Sequence, residues 1–181
     1  MPFIFKNNLD KAKTYTILSG LIFNQMTTSK KFWDGIPLDK NFTHTDLSTS
    51  DLIKEMQLFL ALNHGVKISF YRSSWLYRGV VANVKSSQKL RLNFNTRHFD
   101  FPLRKNETPI DDLSTKICTL SHEVVHIADN YSSYYFGHGS NSPEGKENSF
   151  PYWFGNYCKK YFIENFGEFE SISIYNYLFI N

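Results

Sequence analysis

The sequence lacks the features that mark several common classes of protein. No stretch approaches the roughly 20 consecutive apolar residues of a membrane-spanning helix, so we expect no membrane span. No basic run is interleaved with aromatic residues and the net charge is only +3, so we expect no nucleic-acid partner. Internal repeats, low-complexity tracts and a clear linker are also missing. We therefore expect a single domain over residues 1–181 that acts as a monomer.

Cysteine is scarce, with Cys118 and Cys158 as the two examples. A secreted scaffold that depends on disulfides usually has more, so we expect two reduced, packed thiols. The first ten residues lack the basic-then-apolar order of a secretory signal. The expected location is therefore the cytosol, or a destination reached by an export route that reads no cleavable signal.

Aromatic residues, in contrast, are abundant: they make up 17% of the chain, with 17 Phe and 11 Tyr. The chain is also 41% hydrophobic, which is enough for a proper core. Aromatic side chains fill cores, and they also line clefts that hold extended peptides.

Periodicity predicts an α+β fold. Apolar residues at helical spacing predict helices over residues 10–27 and 50–63, one that begins near Pro109, and one from about Ser149 to Asn165. Gly35 and Pro37 indicate a turn or loop over residues 30–40. The aromatic tail 171–180 is expected to pack on the core.

Between residues 66 and 103 the period changes to two. The alternating segments are Val66–Tyr71, Trp75–Val84, Gln88–Asn95 and Arg97–Leu103. They predict a small antiparallel sheet of three or four strands. Its edge strand could bind a peptide by strand addition, or the sheet could simply cover the apolar side of the following helix.

The most informative stretch runs from Ser121 to His126 and reads Ser-His-Glu-Val-Val-His. Its two histidines, His122 and His126, lie one helical turn apart on the same face, where both rings can reach one Zn²⁺ ion. Glu123 would lie beside a water on that ion and accept its proton as the water attacks a carbonyl group.

A helical wheel supports this placement. Six apolar residues fall on the side opposite His122, namely Leu113, Ile117, Leu120, Val124, Ile127 and Ala128. The helix therefore has an apolar stripe to bury and a polar stripe that carries the histidines. The alternative is an ordinary amphipathic helix with two solvent-facing histidines.

Catalytic zinc usually has three protein ligands, and two residues are candidates for the third. His138 lies between two glycines, which would let the backbone turn back to the metal. Glu147 lies just ahead of the last long helix. We favour His138 because histidine is the commonest metal ligand, and Glu147 remains the alternative.

Other polar residues could support such a site. Asp129 shares a helix face with His126 and suits an acceptor that fixes the tautomer of a ligand imidazole. Tyr131, Tyr134 and Tyr135 are candidates for a hydrogen bond to the tetrahedral oxyanion, with Tyr135 preferred. Each of these tyrosines could equally serve packing alone.

The residues His122-Glu123-x-x-His126 resemble the zincin metallopeptidases. The continuation is similar to the aspzincin branch, which includes deuterolysin and the peptidyl-Lys metalloendopeptidases. In that branch a loop ending Asp-x-x-Tyr-Gly precedes a helix, and here Ser133-Tyr-Tyr-Phe-Gly137 is followed by the helix-like segment 146–156. The resemblance implies a zincin-like fold with zinc and peptidase activity.

Two positions depart from the aspzincin pattern. Ser133 stands where that branch has an aspartate ligand, and Phe136 stands where it has a catalytic tyrosine. Those roles therefore do not carry over, and neither does a preference for Lys in the substrate. His138 or Glu147 would replace the aspartate.

Together these patterns predict a zinc metallopeptidase that acts on a protein or peptide substrate. The chain also resembles, in size and general pattern, the compact metallopeptidase domains of bacterial toxins and secreted effectors. Two alternatives remain open. One is a zinc amidase that acts on cell-wall peptides, and the other is a non-catalytic peptide-binding or regulatory module.

Overall fold

The computed structural model describes residues 3–5, 11–62, 65–72, 81–85, 90–96, 108–138 and 148–169. These form a mixed α+β fold. Its helices are α1 (Lys11–Thr28), α2 (Lys30–Asp34), α3 (Thr49–Ala61), α4 (Pro109–Asp129) and α5 (Phe150–Glu164), followed by a 3₁₀ turn at Phe166–Phe169. Its strands are β1 (Phe3–Phe5), β2 (Val66–Tyr71), β3 (Ala82–Val84) and β4 (Arg91–Asn95).

The strands form one sheet in the order β1-β2-β4-β3. The β1–β2 and β2–β4 pairs are parallel, and only β3 runs antiparallel to its neighbour, with Asn83 opposite Asn93. The prediction of an antiparallel sheet was therefore wrong, and the sheet is mixed. Alternation of apolar and polar residues reports that one face of a strand is buried, and it carries no information on the direction of the neighbouring strand.

Helix α4 is the central element. Thr108 and Asp111 form a capping box at its start, with Pro109 in the first turn, which satisfies N–H groups that a helix leaves unpaired at this end. The apolar stripe predicted for this helix is buried throughout, from Leu113 to Ala128. Helices α1, α3 and α5 and strands β3 and β4 all contact α4. The other face of α4 remains available for the histidines.

Most of the predicted helices are confirmed, with small shifts in their ends. Residues 30–34 were predicted as loop, but they form α2, which contributes Phe32 to an aromatic cluster with Phe154 and Tyr161 of α5. This packing depends on residues far apart in the sequence, so local propensity gave no sign of it. The predicted strand Arg97–Leu103 and the tail 171–180 lie outside the described residues.

Two further expectations concern cysteine and membranes. Cys118 and Cys158 are both free thiols, as expected. Among the helices that the structure describes, none combines the length and apolar character needed to cross a membrane.

Candidate metal centre

Two of the candidate ligands come from α4, as the spacing predicts. His122 and His126 lie on the same face of the helix, and their Nε2 atoms are 3.2 Å apart. Helix periodicity holds the two Cα atoms one turn apart on one side. In both rings it is Nε2 that faces the other histidine.

His138 completes the group from the loop after α4. Its Nε2 atom lies 3.4 Å from Nε2 of His122, and the ligand atoms of the three histidines all lie within 4.8 Å of one another. The structure thus brings together the residues that the sequence predicts as metal ligands. Glu147, the alternative third ligand, lies outside the described residues, and its role stays a prediction.

The loop that carries His138 is held by Asp129, the last residue of α4. The carboxylate of Asp129 accepts hydrogen bonds from the backbone N–H groups of Phe136, at 2.7 Å, and of Gly137. The sequence predicts that Asp129 accepts a hydrogen bond from a ligand imidazole, and that role stays a prediction. In the structure its carboxylate binds the backbone of the two residues that precede His138.

Two side chains of the same loop, Ser132 and Phe136, contact neighbouring helices. The Ser132 hydroxyl donates to the Glu55 carboxylate of α3 at 2.8 Å and accepts from the backbone N–H of Tyr134. Phe136 is fully buried and packs edge-on against Phe150 of α5. Phe136 therefore has a packing role.

The spacing of the nitrogen atoms can be compared with a metal site. Two histidine nitrogens bound tetrahedrally to one Zn²⁺ ion, with Zn–N distances of about 2.0–2.1 Å, lie about 3.3–3.4 Å apart. The separations of 3.2 Å and 3.4 Å in this protein agree with that geometry. These two separations are therefore compatible with one tetrahedral ion, and the ligand atoms of His126 and His138 lie within 4.8 Å of each other.

The protonation states of His122 and His126 also suit metal binding. Burial lowers the pKa of His122 to about 3, with smaller effects from His126 and His138, and burial lowers the pKa of His126 to about 4. Both rings are thus neutral near pH 7, the form that binds metals. His122 also hydrogen-bonds the backbone of Pro151, whose only hydrogen-bonding group is its carbonyl. Because Nε2 faces the other histidines, the donor is Nδ1, and the Nε2 lone pair is left for an ion.

Glu123 is almost fully buried, with 7% of its surface exposed. Burial raises the pKa of its carboxyl group to about 8. A carboxylate with a raised pKa is a stronger base than one in water, and a nearby cation would favour its ionised form. Glu123 is therefore suited to accept a proton from a water molecule next to the histidines.

Two tyrosines near the site were missed by the sequence reasoning. The ring of Tyr152, in the first turn of α5, lies 4.3 Å from the His122 ring and 5.1 Å from the His138 ring, centroid to centroid. Burial and then the charge of Glu123 raise the pKa of Tyr152, and they do the same for Tyr71 at the end of β2. Neither residue has a local sequence signal, because both approach α4 only through tertiary packing.

The three tyrosines named from the sequence lie on the loop after α4 and are more exposed. Tyr134 and Tyr135 are 55% and 58% exposed, whereas Tyr131 packs against Phe59 of α3. The hydroxyl of Tyr135 lies next to Gly137, beside the backbone that carries His138. Its role as an oxyanion donor stays a prediction.

Comparison with known protein families, with curated proteins and with solved structures finds no match to this chain.

Proposed function

We propose that this protein is a zinc-dependent peptidase of the zincin type, in which His122, His126 and His138 hold the metal and Glu123 activates water. One observation carries the proposal: the ligand nitrogens of three imidazoles converge within 4.8 Å, with two separations that match a tetrahedral site, and the buried Glu123 follows His122 in the same helix. Three histidine ligands leave a fourth position for water or substrate, which is the arrangement of catalytic rather than structural zinc.

The donor set favours zinc over the harder divalent cations. Imidazole nitrogen suits Zn²⁺, Cu²⁺, Fe²⁺ or Ni²⁺, whereas Mg²⁺ and Ca²⁺ prefer oxygen ligands. The spacing of the Nε2 atoms fits a tetrahedral ion, which is the usual geometry of zinc. Zinc also requires no redox partner, so it is the simplest occupant for a hydrolytic site.

A bound zinc ion would polarise the substrate carbonyl and lower the pKa of a neighbouring water to about 7. Glu123 then takes one proton from the attacking water and delivers it to the departing amine. The water oxygen forms a new bond to the carbonyl carbon and the C–N bond breaks, which yields a carboxylic acid and an amine. A base with a pKa near the working pH is effective in both directions of this proton transfer.

Tyr152 is the residue best placed to donate a hydrogen bond to the developing oxyanion. Its ring contacts His122 and His138, two of the proposed ligands. Burial and then the charge of Glu123 raise its pKa, so its hydroxyl lies within electrostatic reach of Glu123. Tyr135 has a more exposed side chain and lies against Gly137. We therefore favour Tyr152 over Tyr135 for this role.

The sheet offers a place for an extended substrate. Among the described strands, β3 is at the end of the strand order, and both β3 and β4 contact α4. An edge strand presents unpaired main-chain groups with which an extended peptide can pair. Recognition of this kind depends on the peptide backbone, so it would accept varied side chains.

The test compares wild-type protein with Glu123→Gln, using elemental analysis for zinc and labelled unfolded casein as substrate. We expect about one equivalent of zinc in both proteins and a loss of about 10²–10⁴-fold in the hydrolysis rate of the variant. A second assay with peptidoglycan fragments separates a peptidase from a cell-wall amidase. Wild-type protein that binds no zinc, or a variant with full activity, would overturn the proposal. A toxin or effector role stays a prediction from size and pattern.

A further inference from the structure

Four half-buried polar side chains form a line across one face of the sheet. Ser69 of β2, Asn93 of β4 and Asn83 of β3 are neighbours in the strand register. The Ser69 hydroxyl donates to Asn93 Oδ1 at 2.9 Å, and Asn93 Nδ2 is shared between Oδ1 and the carbonyl of Asn83, at 3.3 and 3.4 Å. Asn83 Nδ2 in turn donates to the Tyr71 hydroxyl oxygen at 3.0 Å. The line therefore ends at Tyr71.

The hydrogen bonds in this line all run in one direction. Each amide accepts through its oxygen from the preceding residue and donates through its nitrogen to the next, so the orientation of Asn93 fixes that of Asn83. Tyr71 consequently uses its oxygen as an acceptor and keeps its own proton to donate. A hydroxyl group that accepts a hydrogen bond becomes a stronger donor, because successive hydrogen bonds polarise one another.

The Tyr71 hydroxyl lies at the β3 end of the sheet. It contacts Asn83 of the edge strand β3, and β3 packs against α4, which carries Glu123. Burial and then the charge of Glu123 raise the pKa of Tyr71, so the phenol lies within electrostatic reach of that carboxylate.

The hydroxyl proton of Tyr71 has no acceptor among the residues that the structure describes. In its two hydrogen bonds Tyr71 is the acceptor: its hydroxyl oxygen accepts from Asn83, and its backbone carbonyl accepts from the Thr96 hydroxyl. A half-buried donor that is pre-oriented and has no acceptor among the described residues is suited to a ligand acceptor. A peptide lying along β3 would place main-chain carbonyl oxygens at this edge.

We propose that Tyr71 is a substrate-binding residue that donates a hydrogen bond to a main-chain carbonyl oxygen of a peptide lying along β3, and that Asn83 is its positioning residue. This inference rests on the proposed peptidase function and adds a residue to it. Tyr71 contacts the substrate away from the bond that is cleaved, whereas Tyr152 serves the oxyanion. Its contribution should therefore appear in substrate binding rather than in the chemical step.

The experiment uses zinc-loaded full-length protein and the best-cleaved peptide from a mixed quenched-fluorescent pool. Tyr71→Phe should raise KM about 3- to 10-fold, as expected for loss of one hydrogen bond, and change kcat less than 2-fold. The same substitution in the Glu123→Gln background should weaken calorimetric binding of that peptide by a similar factor. Zinc content should not change in either protein.

Tyr157→Phe is the matched control. It also removes a phenol hydroxyl with a defined hydrogen bond, to the Phe32 carbonyl at 2.7 Å, but that partner belongs to α2, which carries none of the candidate ligands. We expect it to lower stability and leave KM unchanged.

Asn83→Ala tests the positioning role through a double-mutant cycle. Alone it should raise KM, and in the Tyr71→Phe background it should raise KM little further, because Asn83 acts through the Tyr71 hydroxyl. An unchanged KM in Tyr71→Phe, a fall confined to kcat, or fully additive effects would each overturn the inference. Those results would leave the peptidase proposal intact if wild-type protein binds zinc and Glu123→Gln is inactive. Absence of zinc and of hydrolysis in wild-type protein would remove both.

Discussion

Gly155 of α5 faces Cys118 of α4 at such close range that a Cβ atom on the glycine would lie 2.7 Å from the Cys118 carbonyl oxygen. The same Cβ would lie 3.4 Å from Cβ of His122. Only glycine permits this approach of the two helices. The approach matters for the site because α5 also supplies the Pro151 carbonyl and the Tyr152 ring that contact His122.

Gly155→Ala should therefore separate α5 from α4 at the level of His122. We expect a loss of about 1–3 kcal/mol in the free energy of unfolding, because the added methyl group meets backbone atoms that have no alternative position. Zinc affinity should also fall, since the hydrogen bond from His122 to Pro151 is strained or lost. Chemical denaturation and zinc titration measure the two effects.

Gly167→Ala provides the control for that substitution. A Cβ atom at Gly167 would have no neighbour within 4 Å. Stability should stay the same or rise slightly, and zinc affinity should not change. Equal effects of the two substitutions would contradict the close-packing explanation.

Asp129→Ala should weaken the metal site without removing a ligand. The variant loses the acceptor for the Phe136 and Gly137 N–H groups, so the loop that carries His138 is no longer held in place. We expect zinc affinity to fall about 10- to 100-fold, the usual effect of removing a group that orients a ligand. Competition with a fluorescent chelator gives the affinity. Asp34→Ala, which removes an exposed carboxylate paired with Lys30, should leave the affinity unchanged.

The identity of the third ligand is decided by comparing His138→Ala with Glu147→Ala. We expect the first to lose most of its zinc at micromolar concentration and the second to retain it, because His138 Nε2 lies 3.4 Å from His122 Nε2. Elemental analysis after gel filtration measures the metal content of each. Loss of zinc in Glu147→Ala alone would transfer the ligand role to Glu147.

Glu123 should make the stability of the metal-free protein depend on pH. Burial raises the pKa of its carboxyl group to about 8 from an ordinary value of 4.5. Between these values the folded state holds a proton that the unfolded chain releases, so this group makes the protein less stable as pH rises. Glu123→Gln removes the effect. The free energy of unfolding of the metal-free variant should equal that of metal-free wild-type protein at about pH 4 and exceed it by about 2–4 kcal/mol at about pH 9.

Urea unfolding of chelator-treated proteins across this range tests the prediction. The histidines act in the opposite sense: with the pKa of His122 at about 3 and that of His126 at about 4, below their ordinary 6.5, stability falls as pH drops through the acid range. Because both proteins contain these histidines, their effect cancels in the difference. A constant difference at every pH would contradict the role assigned to Glu123.

The sequence by itself determined the features that reside within one helix. The spacing of His122 and His126, the adjacent Glu123 and the apolar stripe of α4 follow from 3.6 residues per turn, and all are present in the structure. The sequence also favoured His138, because a histidine flanked by glycines shortly after the helix has the reach and the turn that a third ligand needs.

Only the tertiary structure decided how distant segments meet this helix. The parallel pairing of β2 with β4, the contacts of Tyr152 and Pro151 with His122, and the position of Tyr71 depend on packing between elements, which leaves no local periodic signal. Asp129 shows the same limit: its place on the helix was evident, but its partners belong to a loop whose path is set by Phe136 in the core. The geometry within one helix follows from the spacing of residues in the sequence, whereas contacts between distant segments depend on which buried surfaces pack together.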